Sequence, residues 1–368
     1  MCWLRVVRAI LHSVAPGNQN NTLTYCPGLT RTAMPNHVFY MKQLNKLRWI
    51  CLGSVFLILI FIPFGTVYQN YHAAHAYDFL NTQEKFLYDS MDAITASFIS
   101  DPIELDAVKG TTWSANILGW KITDPLAVVS QSAAMRSLNP AFIITALIPL
   151  VLTLFVGRFF CGWICPATFL YELNTNFALL LNRLGLPLNY WQLDKRIKYA
   201  VLLVGTLITF FSGLMILAAI YPPAILGREI YYAIAMDGLS ASAIFFLLTM
   251  VFDILVSRRG FCRYLCPGGA LYSLLGRYRV LRIQRSVSQC NDCNRCNSIC
   301  EFGLQPMQDQ FGQECNNCTA CIAICPTDAL SFKTRFQDQP YQGPGHMGRN
   351  YSPADSTANI IVSDANVK

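Results

Sequence analysis

Two cysteine-rich stretches near the C-terminus carry the strongest chemical signal in this sequence. They read CNDCNRCNSIC and CNNCTACIAIC, and each has the spacing C-x2-C-x2-C-x3-C. Thiolates at this spacing wrap around an iron–sulfur cluster, and the last cysteine of each stretch ligates the cluster of the other. The spacing predicts two [4Fe–4S] clusters, with cluster 1 on Cys290, Cys293, Cys296 and Cys325 and cluster 2 on Cys315, Cys318, Cys321 and Cys300.

We call Cys290–Cys300 the first run and Cys315–Cys325 the second run. Zinc is the main alternative, but structural zinc sites prefer two separated C-x2-C pairs, and a third close cysteine crowds a tetrahedral ion. One position departs from the bacterial ferredoxin pattern, because Glu301 follows the first run where proline is usual. All eight ligands are present, so the departure concerns the loop and not the clusters.

A second repeat carries four more cysteines. Arg158-FFCGWICPATFL-Tyr171 aligns with Arg259-GFCRYLCPGGAL-Tyr272, and Arg, Phe, both Cys, Pro, Leu and Tyr coincide. Cysteines four apart share a helix face, and a residue before proline tends to leave the helix. Packing of small buried side chains, a further metal or cluster, and a thiol relay remain open as roles for these residues, which are also the candidate catalytic groups: Cys161, Cys165, Cys262 and Cys266.

Composition favours a membrane protein with a reduced cysteine-rich face. Of 368 residues 53% are hydrophobic and only 13% charged, with a mean hydropathy of +0.35. Twelve of the fifteen cysteines lie in the four motifs, leaving Cys2, Cys26 and Cys51. Clusters require reduced thiols during assembly, so we expect this face in the cytoplasm. The net charge of +7 falls at membrane boundaries, and nothing in it indicates nucleic-acid binding.

Four apolar segments are long enough to cross a hydrocarbon core, which takes about 20 residues of helix. They are Trp49–Val67, Ser137–Gly157, Tyr199–Gly227 and Gly238–Ser257. Segments 1–48, 158–198 and 258–286 are basic, whereas 68–136 has four Lys or Arg against eight Asp or Glu. Because positive charge favours the cytoplasmic side, both termini are expected inside and 68–136 outside.

The predicted fold is therefore an α-helical membrane protein of four spans in two duplicated hairpins, followed by a ferredoxin-like α+β domain with two clusters. The expected domains are a basic arm at 1–48, a membrane domain at 49–279, the ferredoxin-like domain at 280–333 and a polar disordered tail at 334–368. No histidine lies in a span, no C-x-x-C-H occurs and no G-x-G-x-x-G precedes a helix. The sequence thus indicates no haem and no nucleotide site.

RFFCGWICP, FCRYLCPGGALY, the segment Trp120–Leu126 and the two runs resemble the NapH, NosR and MauN group of polytopic membrane ferredoxins. The resemblance covers roughly 115–333 and is nearest to the NapH or MauN type. The flavin-binding periplasmic domain of NosR is not matched, because segment 68–136 is too short, so no flavin is expected. The resemblance implies a bacterial inner-membrane location.

The resemblance also implies electron transfer between the quinone pool and an extracytoplasmic oxidoreductase system, or its maturation, with ferredoxin or cytochrome subunits as partners. One alternative is a CcoG-like assembly factor that reduces a metal or thiol. Another is a redox sensor or scaffold without turnover. Whether the chain is an enzyme, as a quinol dehydrogenase component, stays undecided on the sequence.

Overall fold

The structure is a computed structural model that describes residues 36–74, 77–80, 82–98, 108–111, 113–117, 120–185, 191, 193–235 and 238–334. The arm before residue 36 and the tail after residue 334, including the expected disorder of that tail, lie outside these residues. Helices dominate and begin with α1 at Asn36–Ala73. The chain continues with α2 (Thr82–Phe98), β1 (Val108–Gly110), β2 (Ser114–Ile117), β3 (Trp120–Thr123), α3 (Pro125–Met135), α4 (Pro140–Thr145), α5 (Leu147–Val156), α6 (Phe159–Trp163), α7 (Pro166–Arg183), α8 (Ile197–Ser212), α9 (Ile216–Ile220), α10 (Pro222–Ala235), α11 (Ala241–Leu255), a π-helical turn (Phe261–Leu265) and α12 (Pro267–Leu275).

The C-terminal part is small and mixed. Strands β4 (Leu281–Arg285) and β5 (Leu330–Thr334) pair antiparallel, with Ile283 opposite Phe332. Two short helices lie between them, α13 (Arg295–Ile299) and α14 (Ala320–Ile324), one in each cysteine run. The two-stranded sheet with one helix per run is the α+β arrangement expected for the ferredoxin-like domain. The proposed boundaries of that domain stay a prediction.

Among the described residues one helix is long and apolar enough to cross a membrane. It is the Gln43–His72 portion of α1, 30 residues long, within which an 18-residue window has a mean hydropathy of 2.5. The other apolar helices are shorter: Leu147–Val156, Ile197–Ser212 and Ala241–Leu255. A 15-residue helix such as α11 rises only about 22 Å, less than the core of about 30 Å.

Two of the four predicted spans are not single helices, for local reasons. Ser137–Gly157 divides at Ala146 into α4 and α5, because Pro149 has no N–H to donate to Thr145. Tyr199–Gly227 divides after Ser212, where Gly213 takes a left-handed φ of 71° and ends α8. The structure therefore does not show either of these predicted spans as one continuous helix.

Two groups of buried side chains hold the fold together. One surrounds the second run and includes Leu44 of α1, Phe159 and Trp163 of α6, and Ile283 and Phe332 of the small sheet. The other surrounds the C-x3-C-P segments and joins α3, α7, α10 and α11. Burial of apolar surface at roughly 25 cal/mol per Å² drives both. The first group makes the ferredoxin-like part continuous with the helices beneath it.

Candidate iron–sulfur sites

The first run forms an open pocket at the surface. Its cysteine lining is Cys290, Cys293, Cys296 and Cys325, around about 320 Å³ of empty space. Cys293 is exposed. These are the four residues expected to hold cluster 1, three from one run and the last from the other. Soft thiolates in this number suit an iron–sulfur cluster, although the ligand assignment itself stays a prediction.

The two runs share an unusual backbone. Asp292 and Asn294 have positive φ values of 52° and 59°, and the equivalent Asn317 and Thr319 have 53° and 63°. Asn and Asp adopt the left-handed region more readily than other non-glycine residues, and it is rare for a β-branched residue such as threonine. The repeated turns place the second and third cysteines of each run in the same way.

The second run is buried against the helices. Cys315 and Cys321 are buried and Cys318 is half-buried, as is Cys300, the fourth residue expected on cluster 2. The indole Nε1–H of Trp163 donates to the carbonyl oxygen of Asn317 at 3.0 Å. The side-chain amide of Asn317 donates in turn to the carbonyl oxygen of Val156 at 2.7 Å.

Gly162, inside the first C-x3-C-P motif, lets the second run approach closely. A Cβ atom at this position would lie 2.5 Å from the carbonyl oxygen of Asn316, well inside normal contact. The backbone of the motif and the backbone of the second run therefore touch with no side chain between them.

A buried ionic network lies beside the second run. Nη1 of Arg158 donates to Oε2 of Glu314 at 2.6 Å, and Nζ of Lys198 donates to the same oxygen. The hydroxyl of Tyr199 donates to Oε1 at 2.9 Å. Burial alone raises the pKa of Glu314, but the charges of Arg158 and Lys198 outweigh it and hold that pKa below its ordinary value. A carboxylate next to Cys315 is thus kept ionised inside the protein.

The second copy of the C-x3-C-P segment places the equivalent arginine, Arg259, next to the end of the first run. Nε of Arg259 donates to Oε2 of Glu301 at 2.6 Å, and its Nη2 donates to Oε1 of Glu172 at 2.5 Å. Glu172 also accepts both Nη groups of Arg48 from α1, at 2.5 and 2.9 Å. Glu301 stands where ferredoxins usually have proline, and its ion pair supplies a physical reason for the departure.

The four cysteines of the C-x3-C-P motifs line one cavity between the two copies of the repeat. Cys161, Cys165, Cys262 and Cys266 line about 370 Å³ of empty space, together with Arg158, Tyr171, Tyr221 and Phe302 among others. Cys165 and Cys266 directly precede Pro166 and Pro267, have extended backbones and begin α7 and α12. The expectation that the residue before proline leaves the helix holds in both repeats.

A buried carboxylate lies behind this cavity. Oδ2 of Asp124 accepts from the hydroxyls of Tyr221 at 2.9 Å and Tyr272 at 3.0 Å, while Oδ1 caps α3 through the N–H of Leu126 at 2.7 Å. The contact joins the segment before α3 to both halves of the duplicated region. It satisfies a group that is costly to bury alone.

Sequence reasoning singled out the cysteines but missed three glutamates that form ion pairs with the arginines of the repeat. Glu172, Glu301 and Glu314 are each buried or half-buried beside a motif arginine. The available signal was the coincidence of Arg158 and Arg259 in the repeat, because a buried arginine requires an acidic partner. Which glutamate pairs with which arginine depends on long-range packing.

No group of three or more His, Cys, Asp or Glu side chains in the described part of the chain is arranged to hold a single metal ion. That result covers both cysteine pockets. A zinc ion needs its cysteine sulfurs about 2.3 Å away, whereas a cluster spreads its thiolates around a larger core.

Comparison with known protein families finds the model described as "4Fe-4S binding domain" twice, at residues 138–186 and 239–286. The two matches confirm the duplication, and each contains one C-x3-C-P motif. Iron–sulfur binding is the chemistry that the description of this family model names for the two matched segments. No solved structure matches significantly.

Among curated proteins the chain is similar to the methylamine utilization ferredoxin-type protein MauN of Methylorubrum extorquens, 32% identical over 52% of this chain and 65% of that protein. It is also similar to the ferredoxin-type protein NapH of Escherichia coli, 33% identical over 49% and 60%. The NapH of Haemophilus influenzae is 28% identical over 56% and 71%. The chain is therefore similar to ferredoxin-type proteins named MauN and NapH.

The matched part covers less than two thirds of the MauN proteins of Methylorubrum extorquens and Methylobacillus flagellatus, 65% and 61%. The similarity is therefore to part of these ferredoxin-type proteins.

Proposed function

We propose that this chain is an integral membrane iron–sulfur protein that transfers electrons between the quinol pool and an extracytoplasmic oxidoreductase system. The observation that carries the proposal is the seating of the second run on the helices, through Trp163, Gly162 and the Glu314 network. A ferredoxin-like domain fixed in this way presents one cysteine site to solvent and the other to the membrane part.

The eight cysteines of the two runs would hold two [4Fe–4S] clusters, in the sets given above. When bound, each cluster carries one electron at a time, which matches the stepwise oxidation of a quinol. The chain's own residues exclude water from the second site and leave the first open. Ferredoxin or cytochrome subunits are the class of partner that would contact the open face.

We further propose four spans with both termini in the cytoplasm of a bacterial inner membrane. Large apolar side chains face outward on the short helices as they do on α1; examples are Leu147 on α5, Phe211 on α8 and Leu248 on α11, all more than half exposed. Exposed apolar surface on several neighbouring helices is what a surrounding lipid phase requires. The basic segments 158–198 and 258–286 favour the inner side. The hydrogen bond between Asp124 and Tyr272 then requires the residues just before α3 to enter the helical part from the outer side.

Topology reporters test this arrangement directly. Fusions after Val67 or within 221–237 should report an extracytoplasmic position, and fusions after residues 186 or 345 a cytoplasmic one. A cytoplasmic signal from the 68–136 segment would overturn the arrangement and the route with it.

A CcoG-like assembly factor is the second candidate, favoured by the meeting of four free thiols in one cavity. The anaerobically purified chain should be mixed with a short-chain quinol. In a separate experiment its clusters should first be reduced chemically, and an oxidised metal ion added after the excess reductant has been removed. If quinol reduces the iron–sulfur clusters, the result supports electron transfer. Cluster-dependent metal reduction without any response to quinol supports the assembly factor, and neither response supports a sensor or scaffold.

A further inference from the structure

We propose that the cavity between the two repeats binds a third iron–sulfur cluster, held by Cys161, Cys165, Cys262 and Cys266. This goes beyond the proposed function, which uses only the eight cysteines of the two runs. The family description at 138–186 and 239–286 names no ligand, and the structure supplies a set of four.

The pocket of the first run serves as an internal standard. It has four cysteines around about 320 Å³, and the cavity between the repeats has four cysteines around about 370 Å³. On the same measure, the cavity between the repeats is no smaller than the pocket expected to hold cluster 1.

The cavity also provides helix termini directed at its thiols. Cys165 begins the 18-residue α7 and Cys266 the nine-residue α12. The Sγ of Cys266 accepts the backbone N–H of Gly269 at 3.3 Å. A helix N-terminus stabilises negative charge and favours the thiolate that binds metal.

An arginine balances the charge of such a site. Arg158 lines the cavity, is 1% exposed and lies within hydrogen-bonding reach of the Cys161 thiol. Its Nε–H is buried without a hydrogen-bond partner in the described part of the chain. Four thiolates around a cluster leave a net negative charge, and a buried donor with no partner is costly unless an acceptor is present. A cluster sulfur is an acceptor of the right kind.

The competing roles fit the cavity less well. The four cysteines are free, so they form no disulfides. Their arrangement does not suit a single metal ion within the described residues. If they only packed against each other, the buried Nε–H of Arg158 would be left without an acceptor among the described residues.

The cavity lies directly behind the second run. Phe302, two residues after Cys300, forms part of its wall, and the guanidinium of Arg158 lies 5.1 Å from the centre of that ring. The same arginine binds Glu314, which precedes Cys315. The third site is thus placed next to the expected cluster 2, on the side of the membrane helices.

The test is the iron and acid-labile sulfide content of the full chain, purified anaerobically in detergent. Wild type should contain about twelve irons, and Cys165→Ser/Cys266→Ser about eight. Low-temperature magnetic resonance of the reduced samples should show the ferredoxin signals unchanged in the variant. Tyr171→Phe, which alters the same wall without removing a thiol, should keep all twelve.

Two results would overturn the proposal: about eight irons in wild type, or no difference between wild type and the double variant. The first leaves the proposed function intact, whereas a wild-type content well below eight would count against both. If the double variant cannot be recovered from membranes, the wild-type count and the single change Cys165→Ser decide the question in the same way.

Discussion

The two cysteine runs have the same spacing and the same left-handed turns, yet they lie in opposite surroundings. The first run forms a pocket at the surface with Cys293 exposed, and one of its two ion pairs, Arg285 with Asp292, has an exposed carboxylate. The second run is buried, and its ion pair, Arg158 with Glu314, is inside. Spacing determines what a run can bind, and the surroundings determine what can reach it.

This difference indicates that the two cysteine sites have different roles. The open site suits exchange with another protein, because a short distance to a partner requires a surface position. The buried site suits a fixed contact with the helices.

The largest effect is expected from Cys300→Ser. Cys300 belongs to the first run, but the crossed arrangement assigns it to the cluster of the second. We expect loss of the second-run cluster, about four irons, with the first-run cluster retained. Iron analysis and magnetic resonance of the reduced variant measure this, with Cys293→Ser as the matched control that should remove the other cluster. Loss of the first-run cluster in Cys300→Ser would refute the crossed arrangement.

Next in size is Glu314→Gln. The change leaves Arg158 and Lys198 buried without their carboxylate, and breaking a buried ion pair costs about 3–5 kcal/mol. Asp292→Asn is the control in the first run, where the partner pair is exposed and worth about 0–1 kcal/mol. Thermal loss of the visible cluster absorbance should occur at a much lower temperature for the first variant. Equal shifts in the two variants would show that the two runs are not differently buried.

Gly162→Ala should weaken the seating of the second run. The new Cβ meets the carbonyl oxygen of Asn316 at 2.5 Å, and overpacking of this kind costs about 1–3 kcal/mol. Gly53→Ala in α1 is the control, because nothing lies within 4 Å of its Cβ. We expect the control to be neutral or stabilising by up to about 1 kcal/mol. Limited proteolysis between the helices and the ferredoxin-like part should increase only in Gly162→Ala.

The smallest effect is expected from Trp163→Phe. The ring packing is largely kept, but the Nε1–H bond to Asn317 is lost, a net cost of about 1 kcal/mol. Trp120→Phe, at an exposed site on β3, should change the unfolding temperature little. A larger shift for Trp120 than for Trp163 would contradict the proposed seating.

Much of the chemistry could be predicted from the sequence, because it depends on local spacing. The eight cysteines, the duplication and the departure from the helix before each proline are all properties of short segments. The acidic partners are not: Arg158 and Glu314 are 156 residues apart. Their pairing depends on how the repeats pack together.

The helix breaks could be predicted only in part. A hydropathy window averages over Pro149 and Gly213, although each residue has a local reason to interrupt a helix. One helix of full membrane-spanning length was found where four were expected among the described residues. The proposal that the shorter helices insert into the membrane therefore rests on their outward-facing apolar side chains and not on their length.

The most direct test of the central claim uses sealed membrane vesicles of both orientations. The claim is that an iron–sulfur domain lies on the inner face with its first site open to the cytoplasm. With the clusters reduced, a membrane-impermeant oxidant should abolish the first-run signal in inside-out vesicles and leave it in right-side-out vesicles. Loss of that signal in right-side-out vesicles, or its persistence in inside-out ones, would contradict the account.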